Sequence, residues 1–162
     1  MKRFLLFILL ATSVFSCKND DKKQDNNNNA FVRSLKENKV GNSGLTVSLP
    51  ADYTVREKGG EDFKVYYLMP ADTTILPAFA GGIYIGVSPS EFPPNGSNCK
   101  TDSLKSKLLD GEPQWKKFSC DSSLFIQTII DHNNTKIHAF GKGKTEADLK
   151  KVLDIYSTLK KS

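Results

Sequence analysis

The sequence predicts an α+β domain in which helices cover an antiparallel sheet. Three observations carry this expectation. Segments rich in Val, Ile, Tyr and Phe recur between residues 45 and 140, several alternating as half-buried strands do. Short turns of Gly, Asn, Asp and Ser separate several of them, and strands joined by short turns run antiparallel. The chain closes on an amphipathic helical pattern with a capping signal at its start. The order strands, helix, strands, helix places the helices on the faces of one sheet.

Phe31, Val32 and Leu35 give Ala30 to Glu37 enough apolar surface for a short helical turn, and Gly41-Asn42-Ser43-Gly44 breaks it. Leu45-Thr46-Val47-Ser48-Leu49 alternates up to Pro50, a strand with its odd positions inward. Gly59-Gly60 marks a turn. Phe63 to Met69 reads as a strand with Phe63, Val65, Tyr67 and Met69 on its apolar face. Pro70 to Pro77 is a loop, and Phe79 to Val87 a strand with Gly81, Gly82 and Gly86 inside it. Glycines there predict a bulge or the close approach of another backbone.

Ser88 to Cys99, with Pro89, Pro93, Pro94 and Gly96, reads as a long loop. Thr101 or Asp102 caps a predicted helix through about Leu109, with Leu104 and Leu108 as its stripe and Gly111 as its stop. Gln114 to Cys120 and Leu124 to Asp131 are strands joined at Asp121-Ser122-Ser123. Asp131 to Asn134 is a turn and Lys136 to Phe140 a strand. Thr145 starts the clearest helix, Asp148 completes a capping box, and Leu149, Val152, Leu153, Tyr156 and Leu159 share one face.

Four of these features together carry a family likeness. They are Gly-x-x-x-Ser-x-Pro at Gly44 to Pro50, Tyr66-Tyr67 in a strand, Gly81-Gly82-Ile83-Tyr84-Ile85-Gly86, and the C-terminal amphipathic helix. Across most of residues 41–160 the chain resembles the PsbP-like family. The resemblance implies an α-β-α sandwich and a non-catalytic binding role, and transfers no functional residue.

The N-terminus predicts an address. Met1-Lys2-Arg3 precedes an apolar run from Phe4 to Phe15, shorter than the ~20 residues a membrane-spanning helix needs. Val14-Phe15-Ser16-Cys17 follows the pattern of a lipobox. It resembles that of bacterial lipoproteins, which implies acylation of Cys17 and cleavage before it. Residues 1–16 then form the signal peptide, residues 17–29 a polar tether, and residues 30–162 one globular domain. The tether has no apolar residue between Cys17 and Ala30, so it cannot bury enough surface to offset its chain entropy. Lys18-Asn19-Asp20-Asp21 resembles the surface-export signal of Bacteroidetes lipoproteins.

Export bears on the remaining cysteines. Cys99 and Cys120 are left as a pair in an oxidising compartment, where a disulfide would close a loop of about 22 residues worth roughly 3 kcal/mol. Two free buried thiols, or half of a metal site, are the other readings. Without Lys2 and Arg3 the formal charge of +5 falls by two. Scattered lysines with no basic stripe speak against a nucleic-acid partner.

Catalytic chemistry is poorly represented. His132 and His138 are the only histidines, expected in a solvated turn and on a partly exposed strand face. No Gly-x-Ser-x-Gly elbow accompanies them. Gly143-Lys144-Thr145 opens a helix as a phosphate loop does, but His138 stands where the pattern needs a glycine, leaving at most a simple anion at Gly141 to Thr145. Tyr66 and Tyr84, each opposite its strand's most apolar row, are the candidate interface residues. Asp72-Thr73-Thr74 resembles the O-glycosylation sequon of Bacteroidetes exported proteins, with Thr73 as acceptor, and Asp102-Ser103-Leu104 shares the pattern.

The sequence therefore points to an outer-membrane lipoprotein, on the periplasmic face or the cell surface, held by lipid on Cys17. Its domain is expected to bind or support an envelope partner without metal or cofactor. An immunity-type protein that blocks a toxin is the second expectation, and a hydrolase the third.

Overall fold

The computed structural model describes residues 30–94, 96, 98–121 and 123–162. A short helix, α1 (residues 30–34), leads into β1 (Lys36–Lys39) and β2 (Leu45–Leu49). Then come β3 (Tyr53–Gly59), β4 (Phe63–Pro70) and β5 (Phe79–Gly86). β6 (Lys100–Lys105), β7 (Gln114–Cys120), β8 (Ser123–His132) and β9 (Thr135–Gly143) follow. Helix α2 (Glu146–Tyr156) and β10 (Lys160–Lys161) complete the chain.

The strands form two antiparallel sheets. Seven make one sheet in the order β3-β4-β5-β9-β8-β7-β6, and β1-β2-β10 make a small second one. Among the described residues strand accounts for 52% and helix for 12%. This corrects the predicted α+β fold and its α-β-α sandwich. Among the described residues α2, the small sheet and Phe31 of α1 pack on one face of the large sheet, and no helix covers the other. The physical reason is that β2 occupies space a second helix would need: Leu45, Val47 and Leu49 are all buried in the same core as Leu149, Val152, Ile155 and Tyr156 of α2.

The predicted helix at Thr101 to Leu109 is a strand and a turn. Leu104 pairs with Trp115 in β6–β7. Leu108 instead closes a tight turn with Gly111, its N–H donating to the Gly111 carbonyl at 2.9 Å. The i, i+4 leucines that suggest a helical stripe serve two different elements, and pairing with β7 outweighs local propensity. The polar sequence of β6 suits an exposed sheet edge. β3 carries only Tyr53 and Val55 inward before Arg56-Glu57-Lys58, too short a period to register as a strand. β10 is two lysines paired to β2.

Thr145 caps the helix as expected, but the return bond of a capping box, from the Thr145 N–H to the Asp148 carboxylate, is replaced by one from the Thr145 hydroxyl. Thr145 Oγ1 accepts from the Asp148 N–H at 3.1 Å and donates to Asp148 Oδ2 at 2.8 Å. Tyr156, on the last turn, drives its hydroxyl to within 2.9 Å of Gly82 N and 2.6 Å of the Phe140 carbonyl. Room for it exists because residue 81 is glycine: a Cβ there would lie 2.7 Å from that oxygen.

One connection sets up the other face. β5 lies third in the sheet and β6 seventh, so the chain leaving Gly86 must cross β9, β8 and β7. Residues 87–94, the described start of that crossing, lie on the face away from α2, where Phe92 packs on His138 and Phe140. They cover the β9-β8-β7 half and leave β3-β4-β5 open.

Candidate functional site

Cross-strand pairing defines the open face. Arg56 pairs with Tyr67, Tyr67 with Gly82, Gly82 with Phe140, Phe140 with Gln127, and Gln127 with Lys116. The neighbouring row runs Ala80, Lys142, Phe125, Phe118 and Thr101. Residues directly opposite share a face, so both rows project away from α2.

Two of these rows carry only Ala80 and Gly82 on β5, between Tyr67 and Met69 on β4 and Phe140 and Lys142 on β9. The missing bulk leaves a trough. It is an apolar groove of about 410 Å³. Tyr67 and Met69 form one wall, Phe125 and Phe140 the other, and Pro77 and Lys142 also line it. The backbones of Gly81 and Gly141 line it as well. Phe140 leans over Gly82, where a Cβ would stand 2.4 Å from its ring. Among the described residues no carboxylate lines the groove, and Lys142 is its one charged residue. Such a volume lies within the ~300–1,000 Å³ typical of small-ligand sites.

The covered half is an aromatic cluster under the crossing segment. Phe92 packs on His138, Phe140 and Phe125 with ring centroids 4.8, 4.9 and 6.1 Å apart. Phe118 stacks behind Phe125 at 6.1 Å. Gln127 holds the segment down. Its Oε1 accepts from the Phe92 N–H at 2.8 Å and its Nε2 donates to the Phe92 carbonyl at 2.9 Å. The same Oε1 lies 3.0 Å from His138 Nε2. Because Oε1 only accepts, Nε2 of His138 carries the hydrogen. Burial pushes the imidazole pKa below 6.5, with Glu91 opposing. Phe125 and Phe140 belong to both halves, so the fixed cluster backs one wall of the groove.

The predicted site residues fall apart under this geometry. Tyr66 is buried at 3% on the α2 face, with burial first among the causes raising its pKa. Its expected interface position is corrected: the strand's inward row is Tyr66 and Leu68, while Phe63 and Tyr67 are exposed. Tyr84 does project outward and stacks on Phe63 at 5.5 Å. His138, expected partly exposed, is 1% exposed. His132 lies in its turn, 3.4 Å from Asn133 Nδ2. Cys99 and Cys120 form a disulfide with Cα atoms 4.2 Å apart, anchoring the crossing segment to the end of β7. Thr73 sits exposed in the β4–β5 loop, where Asp72 Oδ1 accepts from Thr74 N and Oγ1 at 2.9 and 2.7 Å. At Gly141 to Thr145 the helix start is taken by the Asp148 carboxylate, which opposes an added anion. Cys17, the signal and the tether lie outside the described residues.

Sequence reasoning missed Phe92, Gln127 and the groove. Their signal was apolar residues on both faces of β8 and β9: Phe125 and Phe140 alternate with Ile126 and Ala139. Among the described residues no group of His, Cys, Asp or Glu is arranged to hold a metal ion, and no helix is long and apolar enough to cross a membrane. No protein-family model, curated protein or solved structure matches the chain.

Proposed function

We propose that the chain is an envelope lipoprotein anchored through Cys17, whose β-domain is a non-catalytic module that binds an apolar ligand on the open half of its large sheet. The observation that carries the binding role is the groove between Tyr67–Met69 and Phe125–Phe140, apolar along its walls and backed by a fixed aromatic cluster. Apolar surface left open on a small domain marks a place where something else is buried. Around it, Ile75 and Leu76 in the β4–β5 loop are 55% and 80% exposed. Against a hydrolase reading, the His138 Nε2–H is committed to Gln127, beneath Phe92.

Two measurements test the parts separately. For the anchor, the wild-type protein is expected in the membrane fraction and Cys17→Ser in the soluble fraction. Membrane retention of the serine variant sinks the lipoprotein reading. For the groove, the neutral dye N-phenyl-1-naphthylamine is added to the full Cys17→Ser chain. Fluorescence should rise, and Ala80→Phe, which fills the trough from its floor, should abolish the rise with near-ultraviolet dichroism unchanged. An equal rise in both places the apolar site elsewhere.

A further inference from the structure

We infer that the groove takes one chain of a single-chain anionic amphiphile, with its head group at Lys142; this rests on the groove being a ligand site. Three features select that chemistry. First, the walls are mostly apolar, with the Tyr67 hydroxyl the one polar side-chain group besides Lys142, so an apolar tail suits them better than a polar polymer. Tyr67, Met69, Pro77, Ala80, Phe125 and Phe140 supply no buried donor or acceptor that would orient a sugar or peptide. Second, the trough is narrow. β4 and β9 are separated by β5 alone, about 10 Å between backbones, and the standing side chains of Tyr67 and Phe140 take part of that width. An unbranched chain fits such a slot.

Third, the charge at the mouth is single and unspent. Lys142 is exposed and, like eight other lysines, has no carboxylate partner among the described residues; it is the lysine that lines the groove. Of the β3 cations on this face, Arg56 is turned to the Ala71 carbonyl at 2.6 Å, and Lys58 stands opposite Val65, outside the groove lining. Lys142 pairs across the ladder with Ala80 on one side and Phe125 on the other, so its ammonium rises from the centre of the apolar row. A long side chain there lays its methylenes on the groove and keeps its charge in water. That arrangement suits a carboxylate or phosphate head group attached to the tail.

The test is calorimetric titration of the full Cys17→Ser chain with dodecanoate and with dodecyltrimethylammonium, below their micellar concentrations. The two share a tail and differ in head-group sign. Dodecanoate should bind roughly fivefold tighter, as an exposed ion pair provides. Lys142→Glu should reverse the order. The same charge change at Lys105, on edge strand β6, should leave it as in the parent, and Ala80→Phe should remove both ligands. If both bind alike in the parent, or if Lys105→Glu reverses the order as well, the head-group assignment is overturned while the apolar site stands. If neither ligand binds, the ligand site itself falls.

Discussion

Gln127 and Phe92 are joined by a two-way hydrogen bond: the carboxamide accepts from the Phe92 N–H and donates to the Phe92 carbonyl, at 2.8 and 2.9 Å. A side chain thus does for the crossing segment what a neighbouring strand does in a ladder. It fixes Phe92 over His138 and Phe140, and so fixes one wall of the groove.

Gln127→Leu keeps the size of the side chain and removes both bonds together with the acceptor for His138. With Gln127 1% exposed, the orphaned partners should cost about 2 kcal/mol in urea unfolding. A loss below about 0.5 kcal/mol would show that the clamp does not hold the segment.

Stability should depend on pH through His138. Its folded pKa is lowered by burial, so between the folded value and the unfolded 6.5 only the unfolded chain binds the proton. This contribution is complete above about pH 6.5 and is lost as pH falls through the lowered folded value. Urea midpoints taken from pH 7.5 down to 5 should fall for the wild type and fall less for His138→Gln. Parallel slopes in the two proteins would assign the dependence to other groups.

Opening the Cys99–Cys120 bond frees the far end of the crossing segment from β7. In the chain-entropy model a loop of this length contributes roughly 3 kcal/mol. The Cys99→Ala, Cys120→Ala double variant should lose an amount of that order in urea. It should also be cut by protease between Ser88 and Cys99 faster than the wild type. An uncut segment in the variant would mean that Gln127 alone suffices.

Tyr156→Phe removes a hydroxyl that is fully buried between Gly82 and Phe140. Burial has driven that phenol's pKa far above its ordinary 10.0, so it is a neutral donor at every relevant pH. Loss of its bonds should lower stability by about 1–2 kcal/mol, checked by thermal and urea unfolding. A neutral result would show that the strand ladder satisfies those carbonyls unaided.

Much of the fold can be read from the residues where period and capping agree. Leu45-Thr46-Val47-Ser48-Leu49 alternates and buries its odd positions, and Thr145 caps α2 through the Asp148 N–H. The errors arise where a local pattern has two solutions. Leu104 and Leu108 fit a helix stripe in isolation, yet β7 offers Leu104 a ladder. In Phe63-Lys64-Val65-Tyr66-Tyr67-Leu68, aromatics stand on both faces, and only the core decides that Tyr66 and Leu68 go inside. The groove is harder still. It depends on the strand order that brings β5 beside β9, far apart in sequence, and on the crossing that covers half a face. The glycines at 81 and 82 hint at close approach but do not say that Tyr156 comes from one side and Phe140 from the other.

Ligand is expected to enter between β4 and β9 on the open face. Methyl spectra of the full Cys17→Ser chain, labelled at Met and Ala and titrated with dodecanoate, address it directly. Met69 and Ala80 line the groove, while Ala139 is 0% exposed beneath the sheet. Saturable shifts at Met69 and Ala80 with Ala139 unmoved are the predicted result. Shifts at Ala139 alone, or none at Met69 and Ala80 while dodecanoate is bound, would contradict it.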